Sequence, residues 1–305
     1  MTLISLVGIS LAVFALIATL AVRSGFRHEF VQTILGANAH VSLHSVSYRD
    51  ENGRMTRAIT NYDEMVAEIV KVPGVTRAAP LIRGQLMASF NGRNAGVEVL
   101  GARLSDLQTL PLIANPETQR GLLENLPGGI AMGSVVAREL GVQIGDRVKI
   151  ISADGVKTAF GTAPRIKSYE VVYIFGVGRY DIDRVRVYMP LDEAQAFFNR
   201  EGVADELEVM VRSPEAVDSM NFDLLNAAGE RTQLWTWRDA SGGFLRALEV
   251  EDDVMFIILS ILVLIAAMNI VSGLIMLVKN KGRDIGILRT MGLTEGSVLR
   301  VFFIC

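Results

Sequence analysis

The sequence predicts a membrane protein in which two complete transmembrane helices flank a large α+β domain, with a third helix starting at the C-terminus. Three observations predict it. Thr2 to Val22 is a run of 21 residues, and Val254 to Val278 one of 25, without a single Asp, Glu, Lys, Arg or His. At about 1.5 Å per residue the shorter run reaches roughly 30 Å, the thickness of a bilayer's hydrocarbon core. Between the two runs, short patterns of strand and helix period alternate, without the long apolar strands of a doubly wound parallel sheet. The expected divisions are a first span over residues 1–22, the α+β domain over 23–253, a second span over 254–278, a short polar helix and loop over 279–298, and the start of a third span over 299–305.

The first run reads as a retained helix. No basic residue precedes it, its apolar core exceeds the about 7–15 residues of a signal peptide, and ATLAVRSG lacks a small-residue cleavage pattern. Phe26, Phe30 and Ile34 continue a helical spacing that Gly36 can cap. The alternation in AHVSLHS predicts a strand. A helix follows Thr60 or Asn61, with acids in its first turn and Met65, Ile69 and Val72 on one side. QLMASFNGRNAGVEVLGA predicts a hairpin about Asn91-Gly92. The Pro-, Asn- and Gly-rich stretch within 101–130 predicts a boundary between two lobes.

GSVVARELGVQIGDRVKIIS then reads as helix, turn and strand, and SYEVVYIFGVG and DRVRVYMP as further strands. LDEAQAFFN is a helix, ELEVMVRS a strand, PEAVDSMNFDLLNAAG a helix opened by proline, and TQLWTWRD a last strand. Phe244 to Val250 lead helically into the second span.

Charge sets the orientation. Residues 279–300 hold Lys279, Lys281, Arg283, Arg289 and Arg300 against Asp284 and Glu295, a net of +3. Short basic loops stay in the cytoplasm, whereas large domains cross regardless of charge. The α+β domain therefore belongs on the outer side, although Arg23 and Arg27 there run mildly against the rule.

Several chemistries find no support. No G-x-x-x-x-G-K-S/T phosphate loop, G-x-S-x-G or H-E-x-x-H occurs, and no basic aromatic stripe suits nucleic acid. The broken glycine pattern GVGRYD (Gly176–Asp181) reads as a turn or bulge rather than a nucleotide loop. His40 and His44 would share a strand face, but no third ligand type clusters near them, so packing or surface roles outweigh a metal site. The only cysteine is Cys305, which excludes a disulfide within the chain. An enzyme is not expected, nor a bound cofactor. Asn269 is the most polar side chain of the second span, and Ser272 and Gly273 beside it favour close helix contact. An amide there suits hydrogen bonding to a neighbouring helix better than transport.

VKNKGRDIGILRTMG, directly after the second span, carries Ile285, Leu288 and Gly292 at i, i+3 and i+7, surrounded by Lys281, Arg283, Asp284 and Arg289. Such a helix either lies among lipid headgroups or docks its apolar ridge into a partner's groove. Gly286 and Gly292 are small for a lipid-seeking face, which weighs for docking. The return to apolar sequence at VLRVFFIC implies re-entry into the bilayer and speaks against a two-span sensor with an outer ligand-binding domain.

Lys281, Arg283, Asp284, Ile285, Gly286, Ile287, Leu288, Arg289, Met291 and Gly292 resemble the basic, acid-containing helix that follows a span in the lipoprotein-releasing permeases (LolC/LolE), within the wider MacB/FtsX-type superfamily. GISLAVFALIATLAVRSGF looks like the same family's first span. The resemblance implies a MacB-like periplasmic domain and an inner-membrane ABC permease for lipoprotein release. It assigns Lys281, Arg283, Asp284, Ile285, Ile287, Leu288, Arg289, Met291 and Gly292 to a helix that couples to a separate, LolD-like ATPase subunit, which would bind ATP and Mg. It also implies a second permease subunit, lipoprotein substrates, contact with membrane lipid and a LolA-like periplasmic carrier. The region from LGVQIGDRVKIIS to YEVVYIFGVG resembles that which bears the family's carrier-capturing hook, and Thr158, Phe160, Gly161, Pro164, Arg165 and Lys167 would be its counterpart; an ordinary hairpin loop is the alternative. The family continues beyond a third span, so the chain is expected to be part of a longer permease. A related mechanotransmitter that moves another molecule or activates a cell-wall hydrolase is the alternative function.

Overall fold

A computed structural model describes residues 10–11, 13–25, 35, 38–49, 53, 55–158 and 161–304. Phe26, Phe30, Ile34, Gly36, Phe160 and Cys305, named above, lie outside the described residues. The chain divides into a helical unit (Met1–Phe30 with Gly242–Cys305) and a sheet domain (Val31–Ser241).

The sheet domain follows α1 (Val13–Gly25) and opens with β1 (Val41–Ser45), the short pair β2 (Tyr48–Arg49) and β3 (Met55–Thr56), and α2 (Tyr62–Ile69). The hairpin of β4 (Val75–Phe90) and β5 (Arg93–Ala102) turns at Asn91 and Gly92, both at positive φ (47° and 80°). That is the turn whose twist matches the flanking strands. Next come α3 (Leu104–Gln108), α4 (Pro111–Ala114), β6 (Thr118–Gly121), a 3-10 turn (Leu123–Gly128), β7 (Ile130–Gly133) and α5 (Ser134–Leu140). Gly141 caps α5 in the left-handed region, as helices often end.

The second half holds β8 (Arg147–Thr158), β9 (Gly161–Gly176), α6 (Tyr180–Asp183), β10 (Arg186–Pro190) and α7 (Leu191–Phe198). It closes with β11 (Glu206–Val211), α8 (Val217–Ala228), β12 (Thr232–Thr236) and α9 (Trp237–Ala240). Thr236 and Asp239 form a reciprocal capping box that fixes where the last strand becomes helix.

Among the described residues, ten strands make one mixed sheet in the order β12-β1-β11-β4-β5-β10-β7-β9-β6, with β8 attached to β4 and β9. Among the described residues, only β10–β5 and β7–β9 pair in parallel. Alternate residues supply the two faces. Val97, Val99, Met132, Val187 and Met189 pack with α5 and α7, whereas Leu81, Leu100, Tyr173, Phe175 and Tyr188 pack with α3, α4 and the 3-10 turn. This burial on both faces is consistent with an α+β domain.

The lobe boundary expected in 101–130 is not there. Leu107, Leu110, Ile113, Leu123 and Leu126 of that stretch are buried in the second core, and Tyr173 Oη donates to the Ile113 carbonyl at 3.0 Å. Its prolines and glycines turn the chain between short packed pieces, so a composition that resembles a linker belongs to a core layer.

The helical unit contains α1, α10 (Gly242–Asn280), α11 (Gly282–Thr290) and α12 (Glu295–Ile304). Among the described residues, Leu245–Asn280 is the one helix long and apolar enough to cross a membrane; Val13–Gly25 is a shorter apolar helix.

Candidate functional site

At Lys281 the long helix breaks, and α11 begins at Gly282 with Lys281 Nζ 3.0 Å from Asp284 Oδ2. It ends where Gly292 takes φ 90° and the Leu293 N–H reaches back to the Leu288 carbonyl at 3.2 Å. Thr294 then starts α12, its carbonyl accepting from the Val298 N–H at 3.0 Å, and Arg289 Nη2 lies 2.9 Å from Glu295 Oε1. The unit is thus a short helix pinned between two turns.

The apolar face differs from the expected one. Ile285 and Leu288 are half-buried, while Ile287 and Met291, one turn apart, are 52% and 73% exposed. Arg283 and Arg289 are exposed beside them. The surface on offer is the exposed apolar pair Ile287 and Met291, with charged residues of both signs nearby, rather than the Ile285/Leu288/Gly292 ridge.

The second candidate is the β8–β9 hairpin. Its pairing runs from Arg147↔Glu170 to Thr158↔Gly161, but β4 accompanies β8 only at Lys149–Ile151. Among the described residues the rungs beyond Ser152↔Arg165 therefore have no third strand, and the hairpin extends past the sheet. The register slips between Ser152 and Val156, opposite Pro164, which has no N–H to give to the ladder.

Thr158 and Gly161 form the last described rung. Arg165 and Lys167, expected to belong to an exposed loop, instead brace the hairpin on α7. Arg165 Nη1 donates to the Phe197 carbonyl and its guanidinium lies 5.9 Å from the Phe197 ring centre. Lys167 Nζ is 2.6 Å from Glu193 Oε1, which also accepts from Tyr169 Oη at 2.7 Å. Burial and the Glu193 carboxylate push the Tyr169 hydroxyl's pKa up.

Within the helical unit, Ala18 and Val22 of α1 and Leu248 and Met255 of α10 line a mainly apolar cleft of about 440 Å³. An Arg23–Asp252 ion pair joins its two walls. The sequence reading missed this pair, although a cation just after one apolar run and acids just before the other were the available signal. Asn269 sits exposed on α10, in the middle of apolar residues.

The remaining motifs are structural. His40 Nδ1 accepts the Val211 N–H at 3.0 Å, and burial lowers the imidazole's pKa. His44 Nε2 lies 3.4 Å from Glu206. Among the described residues no three His, Cys, Asp or Glu side chains gather as metal ligands. In GVGRYD, Gly178 turns at φ 76° while Asp183 Oδ1 accepts the Val177 N–H at 3.0 Å, so the glycines serve a turn.

Residues 2–227 match the MacB-like periplasmic core domain family. Over 307 residues the chain is 28% identical to the lipoprotein-releasing system transmembrane protein LolC of Neisseria meningitidis serogroup B, covering 99% of this chain and 72% of that one. It is 30% identical to LolC of Xylella fastidiosa over 98% of this chain and 70% of that one. LolE of Haemophilus influenzae is 26% identical over 98% and 71%. The periplasmic region of MacB from Actinobacillus actinomycetemcomitans superposes with a TM-score of 0.42 at 11% identity, covering 72% of this chain and 98% of that one. A relative matched along nearly the whole of this chain, together with the family match over most of it, gives its membership: the chain belongs to the LolC/LolE family of lipoprotein-releasing transmembrane proteins and carries a MacB-like periplasmic core domain.

Proposed function

We propose that this chain is a permease subunit of an inner-membrane ABC transporter that releases lipoproteins to a periplasmic carrier, and that its own part is mechanical. The segments over about residues 1–22 and 254–278 cross the membrane, residues 299–305 begin a third span, residues 23–253 lie in the periplasm and 279–298 face the cytoplasm. A separate ATPase subunit binds ATP and Mg. α11 rests on it through Ile287 and Met291, with Arg283 and Arg289 setting register, and passes its movement to α10. The cleft between α1 and α10 takes acyl chains, which need apolar walls, and a second permease subunit completes it. Asn269 hydrogen-bonds a neighbouring helix. The outer part of the β8–β9 hairpin captures the carrier, with Thr158, Phe160, Gly161 and Pro164 beyond the brace that Arg165 and Lys167 make on α7.

The observation that carries this reading is the break at Lys281. A long apolar helix stops, yields a nine-residue amphipathic helix with an exposed apolar pair, and is followed at once by another helix. A membrane tether has no use for that arrangement. The test is co-purification of the full-length permease with its ATPase subunit. Ile287→Asp with Met291→Asp is expected to abolish recovery of the ATPase, while Asn269→Leu retains it. Undiminished recovery and ATPase stimulation by the double variant would reject the role given to α11. Crosslinks from Thr158 to the carrier during turnover separate lipoprotein release from a MacB- or FtsX-like task, which predicts none.

A further inference from the structure

Strand β4 serves two ladders in succession. Val75–Leu81 pairs with β11, and Ile82–Phe90 pairs with β5 on its other edge. On the first edge β8 takes over only at Met87, so among the described residues β4 has no strand partner there over residues 82–86. At this gap the Arg83 N–H, which would otherwise lack a ladder partner, is taken by Asp205 Oδ2 at 3.0 Å. The half of the sheet that contains β12, β1 and β11 is thus joined to the half that contains β5, β10, β7, β9 and β6 chiefly through one strand.

The Arg83 side chain spans the same gap. Its Nε donates to Glu206 Oε1 on β11 at 2.9 Å, and its Nη1 to Glu98 Oε1 on β5 at 2.8 Å. The chain of charges goes on at both ends. Glu206 meets His44 of β1 at 3.4 Å, and Glu98 meets Arg186 of β10 at 3.8 Å. Arg186 Nη2 in turn donates to Asn38 Oδ1 at 3.0 Å, in the segment entering β1. Glu206 and Glu98 keep only 5% and 13% of their side-chain surface, whereas Arg83 keeps 40% and lies over them. Buried carboxylates are retained at a cost that apolar residues would avoid. The guanidinium fork, which holds two acceptors at fixed angles, does what neither an apolar residue nor a lysine can.

We propose that Arg83 is a positioning residue that clamps the two half-sheets into one lever, so that motion of the half containing the chain's entry and exit strands (β1 and β12) reaches the half containing the β8–β9 hairpin. This rests on the mechanical role proposed above, but the clamp itself is measurable without the transporter's partners.

The test uses full-length permease in a Cys305→Ser background with spin labels at Phe222→Cys on α8 and Gln119→Cys on β6, one on each half. The expected result is a single narrow distance distribution with Arg83 present, at least a doubling of its width in Arg83→Met, and partial broadening in Arg83→Lys. An unchanged width in either variant overturns the clamp; if Arg83→Met does not fold, Arg83→Lys decides alone. In the assembled transporter, Arg83→Met is expected to hydrolyse ATP at the parental rate and release lipoprotein several-fold more slowly. Broadened distances with undiminished release overturn the transmission role. Failure of the parental permease to recruit an ATPase at all would instead reject the proposed function and leave the distance result standing.

Discussion

The sheet domain and the helical unit are built on opposite economies of surface. In the domain large side chains such as Tyr173, Phe175, Ile82, Leu100 and Met132 are under 2% exposed. Along α10 the equivalent residues face outward: Phe256 is 73% exposed, Leu264 61%, Met268 65% and Ile275 62%. Burial of apolar area is what pays for chain order in water. The domain therefore supplies its own cohesion, whereas α10 needs lipid or other helices to supply its surroundings.

The sharpest contrast comes from truncating one side chain in each region. Phe175→Ala is expected to destabilise the domain by about 3–5 kcal/mol. Denaturation of the full-length chain in detergent reads this through Trp235 and Trp237, the chain's only tryptophans and both in the domain. Leu264→Ala, on α10, should leave that transition unshifted. Equal shifts would erase the distinction.

A smaller effect probes how closely the layers approach. A Cβ placed on Gly101 of β5 would lie 2.2 Å from the Cβ of Ala194 on α7. Gly101→Val should cost about 1–3 kcal/mol through overpacking, and Ala194→Gly in the same chain should recover part of it. No recovery would mean that the strain lies elsewhere.

The smallest effect is in pH. Burial lowers the folded-state pKa of His40. The folded state therefore binds fewer protons than the unfolded one near and below pH 6.5, and stability falls as pH drops from the unfolded value towards the lowered one. The loss approaches at most about 1.4 kcal/mol per pH unit. Buried Glu206 and Asp183 and half-buried Asp106, with raised pKa values, work in the opposite direction at more acidic pH. The difference between the parent and His40→Asn, whose amide oxygen can still accept the Val211 N–H, isolates the histidine. An identical slope between pH 5 and 7 would exonerate it.

What the sequence revealed follows the range of each signal. The Asn91-Gly92 turn, the acids that open α2 and the Gly141 cap are local, and each element formed where its own residues asked for it. Residues 101–130 misled because packed pieces of four to six residues are too short to show a period. The Arg83 clamp was invisible, since Glu206 lies 123 positions further along. For α11 the helix was legible and its outward face was not. Spacing alone cannot say which of two apolar stripes, Ile285/Leu288 or Ile287/Met291, the neighbouring turns will cover.

The most direct test concerns which side of the membrane α11 faces. In a Cys305→Ser background, Met291→Cys should react with a membrane-impermeant maleimide in inside-out vesicles and stay unreacted in intact spheroplasts. Labelling of the spheroplasts would put α11 in the periplasm and contradict the coupling role on which the proposed function rests.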